Sequence, residues 1–240
     1  MTVTWEESGW ERVAAGVGRC RLPVWDCTAG LVVGADGVLL IDAGSRLAEG
    51  VRLRTEAQAL AGHRVTHLAL THPHFDHVLG AAAFAGAEVY GAVGLDAALE
   101  HGRGELRADA VRHGLDPRAA EEAVDALIRP RHLVSGEWTL DLGGGRQVLL
   151  ANVGPGHTAH DLVVLVPGEP EVVFCGDLVE ESGEPQAGPD AAPSHWPAAL
   201  DRLLQLGGED AAYVPGHGAV VDAAFVRAQR EALAARFGVS

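Results

Sequence analysis

Short apolar runs bounded by Gly, Pro and charged residues recur along this chain and read as strands; longer stretches with apolar residues three and four apart read as helices. Residues 11–17, 21–28 and 30–33 predict three short strands. Ala35-Asp36-Gly37 is a turn signal into the apolar strand Val38–Ile41, so the chain opens as a β-meander. Asp42-Ala43-Gly44-Ser45 ends that strand and opens a helix over about residues 46–61, with Leu47, Val51 and Leu60 among its apolar positions. A buried strand at 65–70, a small helix at 78–84 and a strand at 87–90 follow.

From residue 95 to 128 the pattern changes to charged, Ala-rich helical sequence, broken at Gly102, Gly104 and Gly114-Leu115-Asp116-Pro117. Strands resume at 131–134, 138–142, 146–152, 161–166 and 172–175. Residues 180–193 are loop-like. A helix at 197–206, a strand at 211–214 and a helix at 222–236 complete the chain. With no linker forcing a split, 1–240 is expected to be one domain, in which 95–130 is a helical insert placed where a lid could cover a site.

Composition sharpens this picture. The hydrophobic fraction of 48% rests on Ala, Val and Leu, with only 5% aromatic residues, which suits an α/β domain of small-residue helices on Val/Leu strands. A formal charge of −15 disfavours phosphate backbones. No nucleic-acid partner is therefore expected; the expected partners are a small-molecule substrate and a second copy of the chain as a homodimer, with no membrane. The first ten residues carry acids where a secretion signal needs positive charge, and no stretch approaches the ~20 apolar residues of a membrane span, so a cytoplasmic location is expected. Cys20, Cys27 and Cys175 are odd in number and lack a metal-type spacing; they read as reduced structural thiols.

The chemistry gathers at strand ends. Thr71-His72-Pro73-His74-Phe75-Asp76-His77 places three imidazoles and a carboxylate within six residues, directly after a buried strand. Buried polar groups at such density need partners, and this donor set suits zinc. Three further candidate ligands follow apolar strands among glycines: His157 in GPGHT, Asp177 in FCGD and His217 in VPGHG. Each alone is weak; with HxHxDH, in this order, they make a strong signal.

With these motifs the chain resembles the metallo-β-lactamase fold superfamily over nearly its whole length. The resemblance implies an α/β fold built as a four-layer αββα sandwich with a binuclear metal site at one edge. It implies that His72, His74 and His157 hold the first ion, that Asp76, His77 and His217 hold the second, and that Asp177 bridges both. Asp42, in a strand-ending Asp-x-Gly, is similar to the family residue that orients a metal ligand. Two zinc ions per chain are the implied cofactor, with iron or manganese as alternatives.

Within the family, His74 stands where the flavodiiron oxidoreductases have Glu, which favours zinc hydrolysis. Asp177 stands where true β-lactamases lack a bridging aspartate. Glyoxalase-II-type thioesterases share the ligand set but add a C-terminal helical domain, and the RNase Z-like nucleases meet the objection of charge. Quorum-quenching lactonases have Tyr where this chain has Glu180. The implied activity is hydrolysis of a small ester, lactone or thioester by a hydroxide bridging two metals, with Asp76 and Asp177 as catalytic carboxylates that move the proton. Phosphodiester or β-lactam hydrolysis, a mononuclear iron sulfur-dioxygenase-like reaction and a non-catalytic binding role are the alternatives. His160, His195 and Trp196 are candidates for substrate contact, with plain packing as the competing reading of each.

Overall fold

A computed structural model of the chain describes residues 4–239. Of the N-terminal stretch read above, the first three residues lie outside this range, as does residue 240.

The opening meander forms β1 (Glu11–Ala14), β2 (Val17–Arg21), β3 (Thr28–Val33) and β4 (Val38–Ile41), paired antiparallel in sequence order. Helix α1 (Leu47–Ala61) then crosses to β5 (His67–Ala69). A short helix, α2 (Phe75–Val78), and a 3-10 turn (Ala81–Phe84) lead to β6 (Glu88–Ala92). The region of the expected insert holds α3 (Leu95–His101), α4 (Arg103–Arg112) and α5 (Pro117–Asp125), and returns as β7 (His132–Val134). Strands β4 to β7 are parallel, completing a seven-stranded sheet in the order β1 to β7.

The second sheet holds β8 (Glu137–Asp141), β9 (Gln147–Ala151), β10 (Val163–Val166), β11 (Val172–Glu180) and β12 (Ala212–His217). Helix α6 (Trp196–Gly207) crosses from β11 to the parallel β12, and α7 (Ala223–Phe237) closes the chain.

Three cores separate four layers. In β4, Val38 and Leu40 face α1 to α5, while Leu39 and Ile41 face the second sheet. The alternation explains why the run reads as wholly apolar: both faces are covered. Leu106, Ala110, Ala120 and Val124 of the helical segment are buried in the first core. Trp196, Ala199, Leu200 and Leu203, at helical spacing, join Val226 and Leu233 in the third. Each Leu so buried contributes about 1.5–3 kcal/mol.

Helix ends follow local chemistry. Asp116 caps α5 by accepting from the Arg118 and Ala119 amides, with Pro117 in the first turn, and Asp222 caps α7 through the Phe225 amide. Ser45 donates through both its amide and hydroxyl to Glu49, which ties the start of α1 to the end of β4.

Several element boundaries differ from expectation. The apolar run 11–17 is a hairpin rather than one strand, because Gly16 turns with φ of 69°. The strand expected at 21–28 is mostly a loop, closed by the Leu22 amide donating to the Cys27 carbonyl at 2.8 Å. Gly104 lies inside α4 and breaks nothing. β11 and β12 run past their predicted ends, since Gly176 with φ of 53° admits an irregular register and pairing resumes between Glu180 and His217.

Gly50 of α1 packs so closely that a Cβ there would collide with the Gly80 carbonyl oxygen. Gly50→Ala is therefore expected to cost about 1–3 kcal/mol through overpacking, read as a lower denaturation midpoint. An unchanged midpoint would show that the helix is free to move outward.

Candidate metal centre

Strand ends at one edge of the sandwich bring together all seven positions picked from the motifs. Asp42 follows β4 with φ of 58°, a left-handed conformation that aspartate tolerates better than most residues. The turn aims its carboxylate back into the protein, where it is 2% exposed. Oδ1 accepts from the Thr71 amide and Oδ2 from the Thr71 hydroxyl, each at 2.8 Å, and His77 Nδ1 lies 2.8 Å from Oδ2.

Each of the five imidazoles has one nitrogen committed outward. His72 Nδ1 lies 2.9 Å from the Thr71 hydroxyl, which is already donating to Asp42. His77 uses Asp42, His157 Nδ1 the Gln186 carbonyl at 3.1 Å, and His217 Nδ1 the Trp25 carbonyl at 2.7 Å. His74 is reversed: Nε2 bonds Asp190 at 3.0 Å and Nδ1 turns inward. With the outer nitrogen donating, the inner one is the atom that offers a lone pair once its proton gives way to a cation.

The inward atoms meet around Asp177. Its Oδ2 lies 3.7 Å from His72 Nε2, 3.5 Å from His157 Nε2 and 3.4 Å from His217 Nε2, and Oδ1 lies 3.1 Å from His77 Nε2. His74 Nδ1 and His157 Nε2 are 2.9 Å apart. Asp76 Oδ2 stands 3.3 Å from His217 Nε2 and 3.6 Å from His77 Nε2. Two donor sets meet at Asp177: His72, His74, His157 and Asp177 in one, and His77, His217 and Asp177 in the other, and a third group of Cys27, Asp76 and His77 adjoins the second. The resemblance implied Asp76 with His77 and His217; here Asp76 groups with His77 and Cys27, with its Oδ2 3.3 Å from His217 Nε2.

Electrostatics mark these groups as unsatisfied without a cation. Burial drives His72 well below the usual imidazole range and lowers His157 to about 4. Burial opposes the His217 cation too, yet Asp177 and Asp76 raise that ring to about 12. Burial likewise opposes ionisation of Asp177, but His77, His72 and His217 hold its carboxyl well below its ordinary value. His72 Nε2 and Asp177 Oδ1 are buried and make no hydrogen bond. Orphaned atoms of this kind, among five imidazoles and two carboxylates, fit divalent metal ions.

The backbone is shaped to match. A Cβ on Gly216 would strike Asp177 Oδ1, so only glycine lets β12 pass the carboxylate. Asp177 and His217 thus sit within long strands rather than in loops after them. Asp76 and His77 sit on α2, where a strand-to-loop cluster was expected. Asp161 closes the loop carrying His157: it accepts from the Gly156 amide at 3.0 Å and the Thr158 hydroxyl at 2.7 Å, while burial pushes its carboxyl up to about 7 against those bonds.

The proposed substrate contacts separate. Trp196 is fully buried, donates from Nε1 to the Leu178 carbonyl at 3.0 Å and packs edge-on against His157 at 5.4 Å. It has no face for a substrate and instead supports a ligand. His195 is exposed beside the Ser194 hydroxyl. His160 is half-buried, with Nδ1 2.9 Å from the Val93 carbonyl. Cys27 lies 3.7 and 3.8 Å from the two His77 nitrogens, so its sulphur is nearly equidistant from both rather than close to the Nε2 lone pair. Burial pushes that thiol up to about 12. All three cysteines are buried and free, as expected of structural thiols.

Sequence reasoning missed Asp190, Gln186 and Trp25. Asp190 and Gln186 lie in an unpatterned loop, and Gln186 and Trp25 act through backbone carbonyls, which no side-chain motif records.

The sequence profile of the metallo-beta-lactamase superfamily matches residues 22–217. Among solved structures, FIM-1 from Pseudomonas aeruginosa, determined in a mono-zinc form, is 20% identical, with 95% of each chain covered and a TM-score of 0.70. A metallo-beta-lactamase from Pontibacter korlensis is 22% identical over 93% of this chain and 97% of its own, with a TM-score of 0.71. Another from Erythrobacter litoralis is 16% identical over 95% and 96%, with a TM-score of 0.69. At such identities the likeness speaks for the fold.

Asp190 orients His74 from outside the donor sets. Asp190→Ala is expected to weaken metal binding about 10–100-fold while leaving the fold intact, measured by competition with a chromophoric chelator. Equal affinity in the variant and the parent would remove Asp190 from the site.

Proposed function

We propose, from the premise that this chain is a metal-dependent hydrolase belonging to the metallo-beta-lactamase superfamily, that it cleaves a small uncharged ester, lactone or thioester with the help of two zinc ions. The observation that carries this reading is the position of Asp177, whose single carboxylate is shared by both donor sets. His72, His74 and His157 would hold one ion, His77, His217 and Asp76 the other, and Asp177 both. Bound there, such ions supply Lewis acidity and lower the pKa of water, which removes the need for a serine or cysteine nucleophile. The chain agrees with that, since its cysteines are buried.

The protein's own groups supply position and proton handling. Asp42, Thr71, Gln186, Asp190 and the Trp25 carbonyl hold the imidazoles by their outer nitrogens and so keep the inner lone pairs aimed. A carboxylate oxygen of Asp76 or Asp177 left free of an ion would accept a proton from the attacking water and return it to the leaving group.

The surroundings favour an uncharged substrate. Asp190 bonds His74, Glu181 accepts from the Ala219 amide just beyond His217, and Asp26 follows Trp25. The sequence contains no lysine, and the arginines nearest His217 are engaged: Arg19 donates to the Gly218 carbonyl and pairs with Glu11, and Arg21, at the end of β2, pairs with Asp26. A substrate bearing a carboxylate or phosphate meets like charge here, within the field of a chain of formal charge −15. This favours neutral esters and lactones over β-lactams and phosphodiesters.

Elemental analysis of the purified protein is expected to give about two zinc ions per chain. Asp177→Ala is expected to lose one ion and lower kcat/KM on a neutral ester or lactone by about 100-fold or more. A carboxylated analogue of the same ester is expected to react at least about tenfold more slowly, with the gap narrowing in salt. One iron per chain with oxygen uptake, or full activity in Asp177→Ala, would overturn the hydrolytic reading.

A further inference from the structure

The loop between β2 and β3 has no part in the ligand motifs, yet it reaches the centre of the site. His217 Nδ1 bonds the Trp25 carbonyl at 2.7 Å, and Cys27 forms an isolated antiparallel bridge with His217. Trp25 is flanked by Val24 with φ of 88° and Asp26 with φ of 60°, left-handed conformations that a β-branched residue in particular adopts only under external constraint. Val24 is 72% exposed, so its own side chain does not hold that geometry.

The Arg21–Asp26 pair and the Leu22–Cys27 backbone bond hold the ends of this segment, and Trp25 ties its middle to the rest of the site. Its indole packs edge-on against Phe75 with centroids 5.2 Å apart and rings at 88°, and Nε1 donates to the His113 carbonyl at the end of α4 at 3.3 Å. Phe75 directly precedes Asp76 and in turn stacks on His113 at 5.5 Å. One side chain therefore joins the loop, the helix bearing Asp76 and His77, and the helical segment. The first donor set has different supports, Gln186 and Asp190, on the loop after β11.

We propose that Trp25 is a positioning residue for the second donor set. By fixing its own carbonyl against His217, it sets the affinity of His77, His217 and Asp177 for a metal ion and leaves the set of His72, His74 and His157 unaffected. This inference rests on the two-ion reading above. It also gives α4 a role, as the anchor that keeps the β2–β3 loop in its constrained shape.

The test is a zinc titration of the chelator-stripped full chain against a competing chromophoric chelator, repeated with cobalt to follow visible absorbance. The wild-type protein is expected to bind in two steps. Trp25→Ala is expected to weaken the second step by about 10–100-fold and to leave the first within about twofold. Trp25→Phe, which keeps the packing on Phe75, is expected to recover most of the loss. Where alanine unfolds the protein, Trp25→Leu replaces it and reads the same way. An unshifted second step, or equal weakening of both, overturns the proposal while two wild-type ions leave the two-ion reading standing. A wild-type chain that binds one ion overturns both.

Discussion

Five imidazoles and two carboxylates crowd one edge of this sandwich, and His72 Nε2 and Asp177 Oδ1 are left buried there without a hydrogen-bond partner. His74 Nδ1 and His157 Nε2 lie 2.9 Å apart, within reach of a single shared proton, and Asp177 is surrounded by His72, His77, His157 and His217. Buried charge and unmet hydrogen-bonding capacity of this kind are tolerated where an ion completes the site. The rest of the molecule holds the groups together against their mutual cost.

That holding begins in the backbone. Parallel pairing of β4 with β5 brings Asp42 beside Thr71, and parallel pairing of β11 with β12 brings Asp177 beside Gly216. Crossover helices on the outer faces allow both pairs, and three apolar cores keep the sheets in register. The left-handed turn at Asp42 and the glycine at 216 are the local concessions that let side chains of neighbouring strands meet.

A further layer of contacts decides which nitrogen of each ring faces inward. Some of these contacts come from residues next to the ligands, as Thr71 is to His72, and others from the exposed loops 22–27 and 181–195. The two donor sets therefore draw support from separate parts of the surface. Their carboxylates Glu181 and Asp190 add negative charge at the site, whereas Asp26 is paired with Arg21.

The sequence by itself marked seven candidate ligands, because the dense HxHxDH motif and the glycine-flanked strand ends are local signals, while the layer order followed from the family resemblance those motifs carry. It placed α1, α6 and α7 to within a residue or two, since apolar spacing and capping residues mark helices directly. It failed where structure depends on partners distant in the chain. The apolar run 21–28 read as a strand but forms a constrained loop, because Trp25 packs on Phe75 and His113. Trp196, which the sequence left between packing and substrate contact, lies in the third core. The orientation of every imidazole was a tertiary decision, since the groups that fix it include two backbone carbonyls and Asp190, 116 positions from His74. A motif records which side chains are present; only folding determines which atoms they turn toward one another.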